Sequence, residues 1–199
     1  MKITVLYGSA RKNGVSSTAA RKVLERVYRE GDEVREYPLA EQHILPCVGC
    51  LACRKQEVCS RRGDDMERIY ADVVSSDFVI FASPIYCFDV TGPFKLMYDR
   101  LYPMLDGPQP KYTPRHPGIR SCLILSQGAP LTAFGDAAER NELRLKNNGF
   151  TNLATLRYGM GIDLSYESEE VQQRAAAARQ KQEEDNDRLI EEIAAKLNR

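Results

Sequence analysis

The chain has 199 residues and 43% hydrophobic side chains, with 28 Lys+Arg against 28 Asp+Glu. That size and apolar content suit one self-sufficient domain, and zero net charge leaves no electrostatic footprint for nucleic acid or an anionic membrane. No apolar run approaches the roughly 18–20 residues of a spanning helix, and residues 1–5 run straight into strand-like sequence without a signal-peptide core, so a cytoplasmic protein is expected.

Residues 3–7 are short, apolar and β-branched, the pattern of a buried strand. Residues 17–30 follow with Ala20, Val23, Leu24 and Val27 on one helical face. Residues 33–37 form a more polar strand, suited to a sheet edge. A cysteine-rich loop over 47–59 precedes a helix over 64–75, which opens with Asp64 and Glu67 at capping-box spacing. Residues 78–82 read as the central strand, and Gly92-Pro93 opens a helix to about 101. Residues 106–118, rich in proline and glycine, read as a surface loop. A fourth strand over 121–125, a helix over 136–148 closed by Gly149, and a fifth strand over 153–158 complete the alternation. The last helix starts near 167; its middle, 174–187, is polar enough to be solvated, and Leu189, Ile190, Ile193 and Leu197 dock its end. Strands alternating with helices specify right-handed crossovers and a parallel sheet covered on both faces. The expectation is one doubly wound α/β domain over 1–199.

In such folds ligands sit outside the carboxyl ends of the strands. The loop after the first strand, Gly8-Ser9-Ala10-Arg11-Lys12-Asn13-Gly14-Val15-Ser16-Ser17, places hydroxyls and an arginine at a helix start, where free amides and the helix dipole favour an anion. It is neither a Walker loop nor G-x-G-x-x-G, and it suits a small phosphomonoester; ordinary N-capping by Ser16 or Ser17 is the other reading. The loop over 83–91 carries two aromatics, Tyr86 and Phe88, that either clamp a flat ring or fill core. Ser126-Gln127-Gly128 offers backbone donors and a glycine that lets a ligand approach closely.

Cys47, Cys50, Cys53 and Cys59 have the spacing C-x2-C-x2-C-x5-C. Zinc sites favour two pairs separated by a longer spacer, so an iron–sulfur cluster is the better match if metal binds; packed or free thiols are the alternative. Cys87 falls near the ligand loops, and Cys122 lies within a strand and reads as core. Neither histidine sits in a catalytic pattern, there is no G-x-S-x-G elbow, and Asp99 with Arg100 reads as a structural ion pair. No catalytic side chain is assigned.

Taken together, Gly8–Gly14, the stretch over 46–53, Asp64-Asp65-Met66, Ser83-Pro84-Ile85-Tyr86 and Lys95 to Arg100 resemble the flavodoxin-like NADPH-dependent FMN reductases, most of all their iron–sulfur flavoprotein branch. The resemblance implies a flavodoxin-like, five-stranded parallel sheet in the order 2-1-3-4-5 with FMN at its edge. It implies that Ser9, Arg11, Ser16 and Ser17 hold the phosphate. Pro84, Ile85, Tyr86, Cys87 and Phe88 would line the isoalloxazine, with Ser126, Gln127 and Gly128 approaching it from the other side. Val15 departs from the asparagine common in that family, leaving Ser16 or Ser17 to compensate. The resemblance further implies a [4Fe–4S] cluster on Cys47, Cys50, Cys53 and Cys59, NAD(P)H as co-substrate, and a homodimer or homotetramer.

The function expected from this is an FMN-dependent NAD(P)H oxidoreductase passing electrons to a flavin, a quinone or another small acceptor. An iron–sulfur flavoprotein carrying electrons from a ferredoxin-like donor is the alternative, and a thiol-based redox sensor is a third. No nucleic-acid or membrane partner is expected.

Overall fold

The computed structural model describes residues 1–107, 112–159, 165 and 167–198; part of the expected surface loop, 108–111, lies outside the described residues. Five parallel strands carry the fold: β1 (Lys2–Tyr7), β2 (Glu33–Pro38), β3 (Phe78–Tyr86), β7 (Ile119–Ser126) and β8 (Phe150–Tyr158). They are ordered β2-β1-β3-β7-β8, so among the parallel strands the sequence order is 2-1-3-4-5. Two short antiparallel pairs are added: β4 (Asp89–Val90) folds back on β3, and β5 (Leu105–Asp106) pairs with β6 (Thr113–Pro114).

Period-two alternation sorts each strand's side chains between the two faces. Ile3, Val5, Phe78, Ile80, Cys122 and Ile124 meet α1 (Val15–Val27) and α6 (Glu169–Lys196) through Ala20, Val23, Ile190 and Ile193. Leu6, Val79, Phe81, Leu123 and Leu125 point the other way. They meet Ile69 and Val73 of α3 (Met66–Ser75), Phe94 and Met97 of α4 (Gly92–Asp99), and Leu145 of α5 (Gly135–Asn147). Cys122 is fully buried, as its place in a strand requires. Among the described residues, no helix is long and apolar enough to cross a membrane.

Two local expectations change. The strand expected over 78–82 continues to Tyr86, because its neighbour β7 supplies partners as far as Pro84↔Ser126 and β4 pairs with its end. Asp99 does not pair with Arg100, since neighbouring residues on a helix do not face each other. Asp99 instead accepts from Lys95, one turn earlier, at 2.6 Å. Arg100 turns inward to Asp64, and the two side chains are 1% and 0% exposed.

Arg100 donates to Asp64 Oδ2 at 2.7 Å and Oδ1 at 3.2 Å, to the carbonyl of Leu45 at 2.8 Å and to that of Arg61 at 2.8 Å. Asp64 also accepts from the N–H groups of Leu45 and Met66, which starts α3. Glu67 reaches back to Gly63 N at 2.9 Å, one residue beyond a standard capping box. Burial alone would raise the Asp64 pKa, but hydrogen bonds from Arg100 and Leu45 outweigh it and hold the carboxyl below its ordinary value.

Removing one partner of a buried pair leaves an uncompensated charge, so Arg100→Leu should lower stability by about 3–5 kcal/mol in denaturant melts. A depressed carboxyl contributes its stability in full above the unfolded Asp value of about 4 and loses it as pH falls through the folded value. The acid-side slope of stability against pH should therefore flatten in Asp64→Asn.

Candidate functional site

A cavity of about 360 Å³ opens at the carboxyl ends of β1, β3, β7 and β8. Its first wall is the loop from β1 into α1, contributing Ser9, Arg11, Gly14, Val15 and Ser16. The loop is tied at its base by Gly8 N to Ala82 O at 2.7 Å and by the Thr91 hydroxyl to Gly8 O at 2.6 Å. A Cβ on Gly8 would lie 3.0 Å from both the Phe94 ring and Ser83 Oγ, so this crossing needs glycine. Beyond it, the Arg11 carbonyl accepts from Gly14 N, Ser9 Oγ and Ser17 Oγ at 3.0, 3.3 and 3.2 Å.

The N-cap of α1 is Gly14, in extended conformation, and no side chain caps the helix. Capping by Ser16 or Ser17 is thereby set aside: both residues lie inside the first turn. Among the described residues no side chain partners the N–H groups of that turn, which is the donor set an anion requires. Ser16 is 1% exposed and lines the cavity, and its hydroxyl has no partner among the described residues. Ser17 spends its hydroxyl on Arg11 O and lines a neighbouring cavity instead.

The second wall is the end of β3. Pro84, Ile85 and Tyr86 line the cavity. Cys87 and Phe88 form the two-residue turn of the β3–β4 hairpin, outside that lining. Both have left-handed backbone, φ 47° and 72°, in a turn that favours Asn-Gly. Helix α5 and the residue before it restrain the turn: the Phe88 ring meets Phe134 edge-on at 5.6 Å, and Arg140 donates to Phe88 O at 3.0 Å. Asp89, next in the chain, accepts from Asn141 at 3.1 Å and from both terminal nitrogens of Arg144. Burial would raise the Asp89 pKa; Arg144 and Asn141 overcome this and hold it low.

The third wall is Ser126, Gln127 and Gly128. The backbone N–H of Gln127 is not a donor here, because it goes to Tyr158 O at 2.8 Å; its side-chain amide gives one N–H to Pro130 O at 2.6 Å. A fourth wall went unread in the sequence: Tyr158, Gly159 and, from α6, Arg179, Gln182 and Glu183. Gln182 accepts from Gly159 N at 2.7 Å, while Asn186 exchanges two hydrogen bonds with the backbone of Arg157. The available signal was polar residues at helical spacing, 179, 182, 183 and 186, in a stretch that looked wholly solvated.

The four clustered cysteines lie elsewhere. Cys47 and Cys50 are exposed, Cys53 is buried at the start of the short helix α2 (Cys53–Gln56), and Cys59 is half-buried beside Arg100. Cys50 Sγ is 3.3 Å from Ser60 Oγ. The Ser60 hydroxyl, with the Ala52 amide, lowers the Cys50 pKa; burial and then the charges of the other three thiols raise that of Cys53. Among the described residues, no three His, Cys, Asp or Glu side chains form a group that could hold a metal ion. As placed, the four thiols do not fit a cluster.

Residues 1–113 match the family described as NADPH-dependent FMN reductase. An iron–sulfur flavoprotein of Clostridioides difficile is 39% identical over 112 residues, 53% of this chain and 48% of that one. One from Methanocaldococcus jannaschii is 31% identical over 107 residues, 54% of this chain and 55% of that one. The chain thus spans about half the length of these curated relatives. Among solved structures, an azoreductase from Bacillus anthracis superposes with TM-score 0.69 at 12% identity, covering 94% of this chain and 98% of that one. An NAD(P)H:quinone oxidoreductase from Methanothermobacter marburgensis gives 0.60 at 15% identity, covering 89% and 94%. At those identities the likeness concerns the fold.

Two outcomes follow from the geometry. Peptide mapping after iodoacetamide near neutral pH should find Cys50 modified ahead of Cys53, because a lower pKa leaves more thiolate. Cys122 should react only on unfolding, since burial pushes its thiol far above the ordinary value. Cys87→Asn relieves a left-handed position and should raise stability by up to about 1 kcal/mol; a loss in thermal melts would show the turn unstrained.

Proposed function

This chain belongs to the NADPH-dependent FMN reductase family, and from that premise we propose that it is an NAD(P)H-dependent oxidoreductase holding FMN in the cavity at the ends of β1, β3 and β7. The observation that carries this reading is the uncapped first turn of α1 beside Ser9, Arg11 and Ser16, whose hydroxyl has no partner among the described residues. That donor set fits a dianionic phosphate, with Arg11 supplying charge. Pro84, Ile85 and Tyr86 on one side and Ser126 to Gly128 on the other bound the space for the flat ring. Bound FMN supplies the transfer of hydride from NAD(P)H and of electrons onward, to a flavin, a quinone or another small acceptor.

The chain's own residues bind, orient and exclude water. Hydride transfer to a flavin calls for no side-chain acid or base, in keeping with a cavity whose carboxylate, Glu183, comes from the last helix. Tyr86, half exposed at the end of β3, supplies apolar surface at the cavity. Tyr86, Phe88 and Val15 leave apolar surface around this end of the molecule, which supports a homodimer or homotetramer covering it. Six free cysteines suit a reducing compartment such as the cytoplasm.

A second reading, an iron–sulfur flavoprotein exchanging electrons with a ferredoxin-like donor, draws on the compact C-x2-C-x2-C-x5-C run, whose thiols lie close enough for Cys53 to feel the other three. As placed, the thiols form no metal-binding group among the described residues. Iron and sulfide quantified in protein purified anaerobically separate the two: about four irons per chain favour the carrier, and flavin without iron the reductase.

The decisive test of the site is the double variant Ser9→Ala/Arg11→Ala. Losing charge-assisted hydrogen bonds should weaken FMN binding by about tenfold or more in a fluorescence titration. Unchanged affinity would remove the phosphate from this loop.

A further inference from the structure

Glycine follows asparagine at two places, Asn13-Gly14 in the loop after β1 and Asn148-Gly149 at the end of α5. Such a pair can modify itself, because a backbone nitrogen with no Cβ beside it reaches the preceding side-chain carbonyl unhindered. We infer that Asn13 is a site of spontaneous deamidation that weakens phosphate binding by the loop, and that bound flavin slows the reaction. The modification stands on the loop geometry alone; its effect on flavin rests on the FMN reading of the first cavity.

The reaction needs only water. The Gly14 nitrogen gives up its proton and attacks Cγ of Asn13, the Cγ–Nδ2 bond breaks, and Nδ2 leaves with a proton as ammonia. The resulting five-membered imide takes up water at either carbonyl. One opening gives aspartate; the other gives isoaspartate, whose main chain runs through Cβ and Cγ. One amide becomes one carboxylate, and nothing is oxidised or reduced.

The two pairs differ in what holds them. Asn148 is 6% exposed, and both hydrogens of its amide are engaged, by Tyr98 OH and by the carbonyl of Arg144, each at 2.9 Å. Turning that side chain onto Gly149 N breaks two buried hydrogen bonds, at about 1–3 kcal/mol each. Asn13 is exposed, and its side chain is held only by a 3.5 Å contact from Arg21, longer than an effective hydrogen bond. Gly14 N does donate to Arg11 O at 3.0 Å, as Gly149 N does to Lys146 O. The Arg11 carbonyl also accepts from Ser9 and Ser17, however, so releasing Gly14 N leaves it satisfied. One hydrogen bond guards Asn13. The glycine after it is fixed by space, since a Cβ there would lie 3.1 Å from Ser9 Oγ and 3.2 Å from Arg11 O.

Asn13 lies between Arg11 and the first turn of α1, outside the lining of the cavity. Its conversion puts a negative charge beside the cation and the amides that face the phosphate, and repels a dianion. Isoaspartate also lengthens the main chain by one methylene immediately before Gly14, the N-cap. A bound phosphate acts in the opposite sense. Held by Ser9 and Arg11 before Asn13 and by the helix start after it, the phosphate keeps the loop closed and Gly14 N on Arg11 O.

The test incubates whole protein in neutral buffer, flavin-free and with FMN about 100-fold above its Kd, and follows both sites by peptide mass spectrometry and isoaspartate-specific methylation. Asn13 should convert while Asn148 stays intact, and FMN should slow the conversion by about tenfold or more. Converted protein, separated by ion exchange, and Asn13→Asp should each bind FMN about tenfold more weakly. Asn13→Gln, whose longer side chain closes a ring poorly, should stay within about twofold of wild type. Asn13 surviving as long as Asn148 overturns the site. Equal rates with and without FMN, or wild-type FMN affinity in both converted protein and Asn13→Asp, overturn its link to the flavin. If wild-type protein binds no FMN, the reading of the first cavity falls separately, and the comparison of Asn13 with Asn148 still decides the modification.

Discussion

The demand of one buried cation for acceptors organises the segment between β2 and α3, which no strand pairing reaches. A guanidinium at 1% exposure costs several kcal/mol in lost hydration unless oxygens surround it. Arg100 finds them in Asp64 and in the carbonyls of Leu45 and Arg61, which lie at the two ends of the cysteine-bearing segment. Satisfying the cation therefore closes that segment into a loop against the end of α4. Two further arginines pin its middle. Arg54 donates to Leu105 O at 2.6 Å and lies over the rings of Tyr102 and Tyr112, and Arg115 bonds Glu57 at 2.8 Å. The same helix α4 carries Phe94, whose ring would lie 3.0 Å from a Cβ on Gly8, so the cysteine loop and the cavity loop share one support.

The parts of the fold that depend on a repeated pattern were legible. Short, near-continuous apolar runs at residues 3–7, 78–82 and 121–125 announce strands whose two faces are both buried, and that pattern demands helices on each side. The position of the loop after β1, at a strand-to-helix junction, was legible in the same way, and Ser9, Arg11 and Ser16 line the cavity there. Parts depending on a single long-range partner were not. Arg100, at the end of an amphipathic helix, looks like any solvated cation, and Asp64 looks like a cap. The N-cap is Asp65 instead; Asp64, one residue earlier, accepts from Met66 N, and its pairing with Arg100 appears only when α4 is folded against it.

The last helix shows the limit in another form. Apolar spacing located its docked end through Ile190 and Ile193, but its middle contacts the domain through amides. Asn186 is 4% exposed because it exchanges hydrogen bonds with the backbone of Arg157, and Gln182 receives the N–H of Gly159. A glutamine that satisfies the end of a strand and one that faces water have the same hydropathy. Only the spacing 179, 182, 183, 186 hinted that one stripe of this helix had a partner.

Those contacts divide the cavity between two parts of the chain. Ser9, Arg11, Ser16 and Pro84 to Tyr86 lie within residues 1–113, the stretch that matches the family. The opposing surfaces, Ser126 to Gly128, Tyr158, Gly159 and the α6 residues, lie outside it. The division reaches into the matched half as well. Two consecutive non-glycine residues in left-handed conformation cost about 1–3 kcal/mol each, and such strain persists only when neighbours over-determine it. Here the neighbours are Phe134, Arg140, Asn141 and Arg144, all beyond residue 113. The path of the backbone after Tyr86 is thus set by α5. The loop after β1 thus lies in the stretch that matches the family, while the surfaces opposing it are built from residues beyond 113.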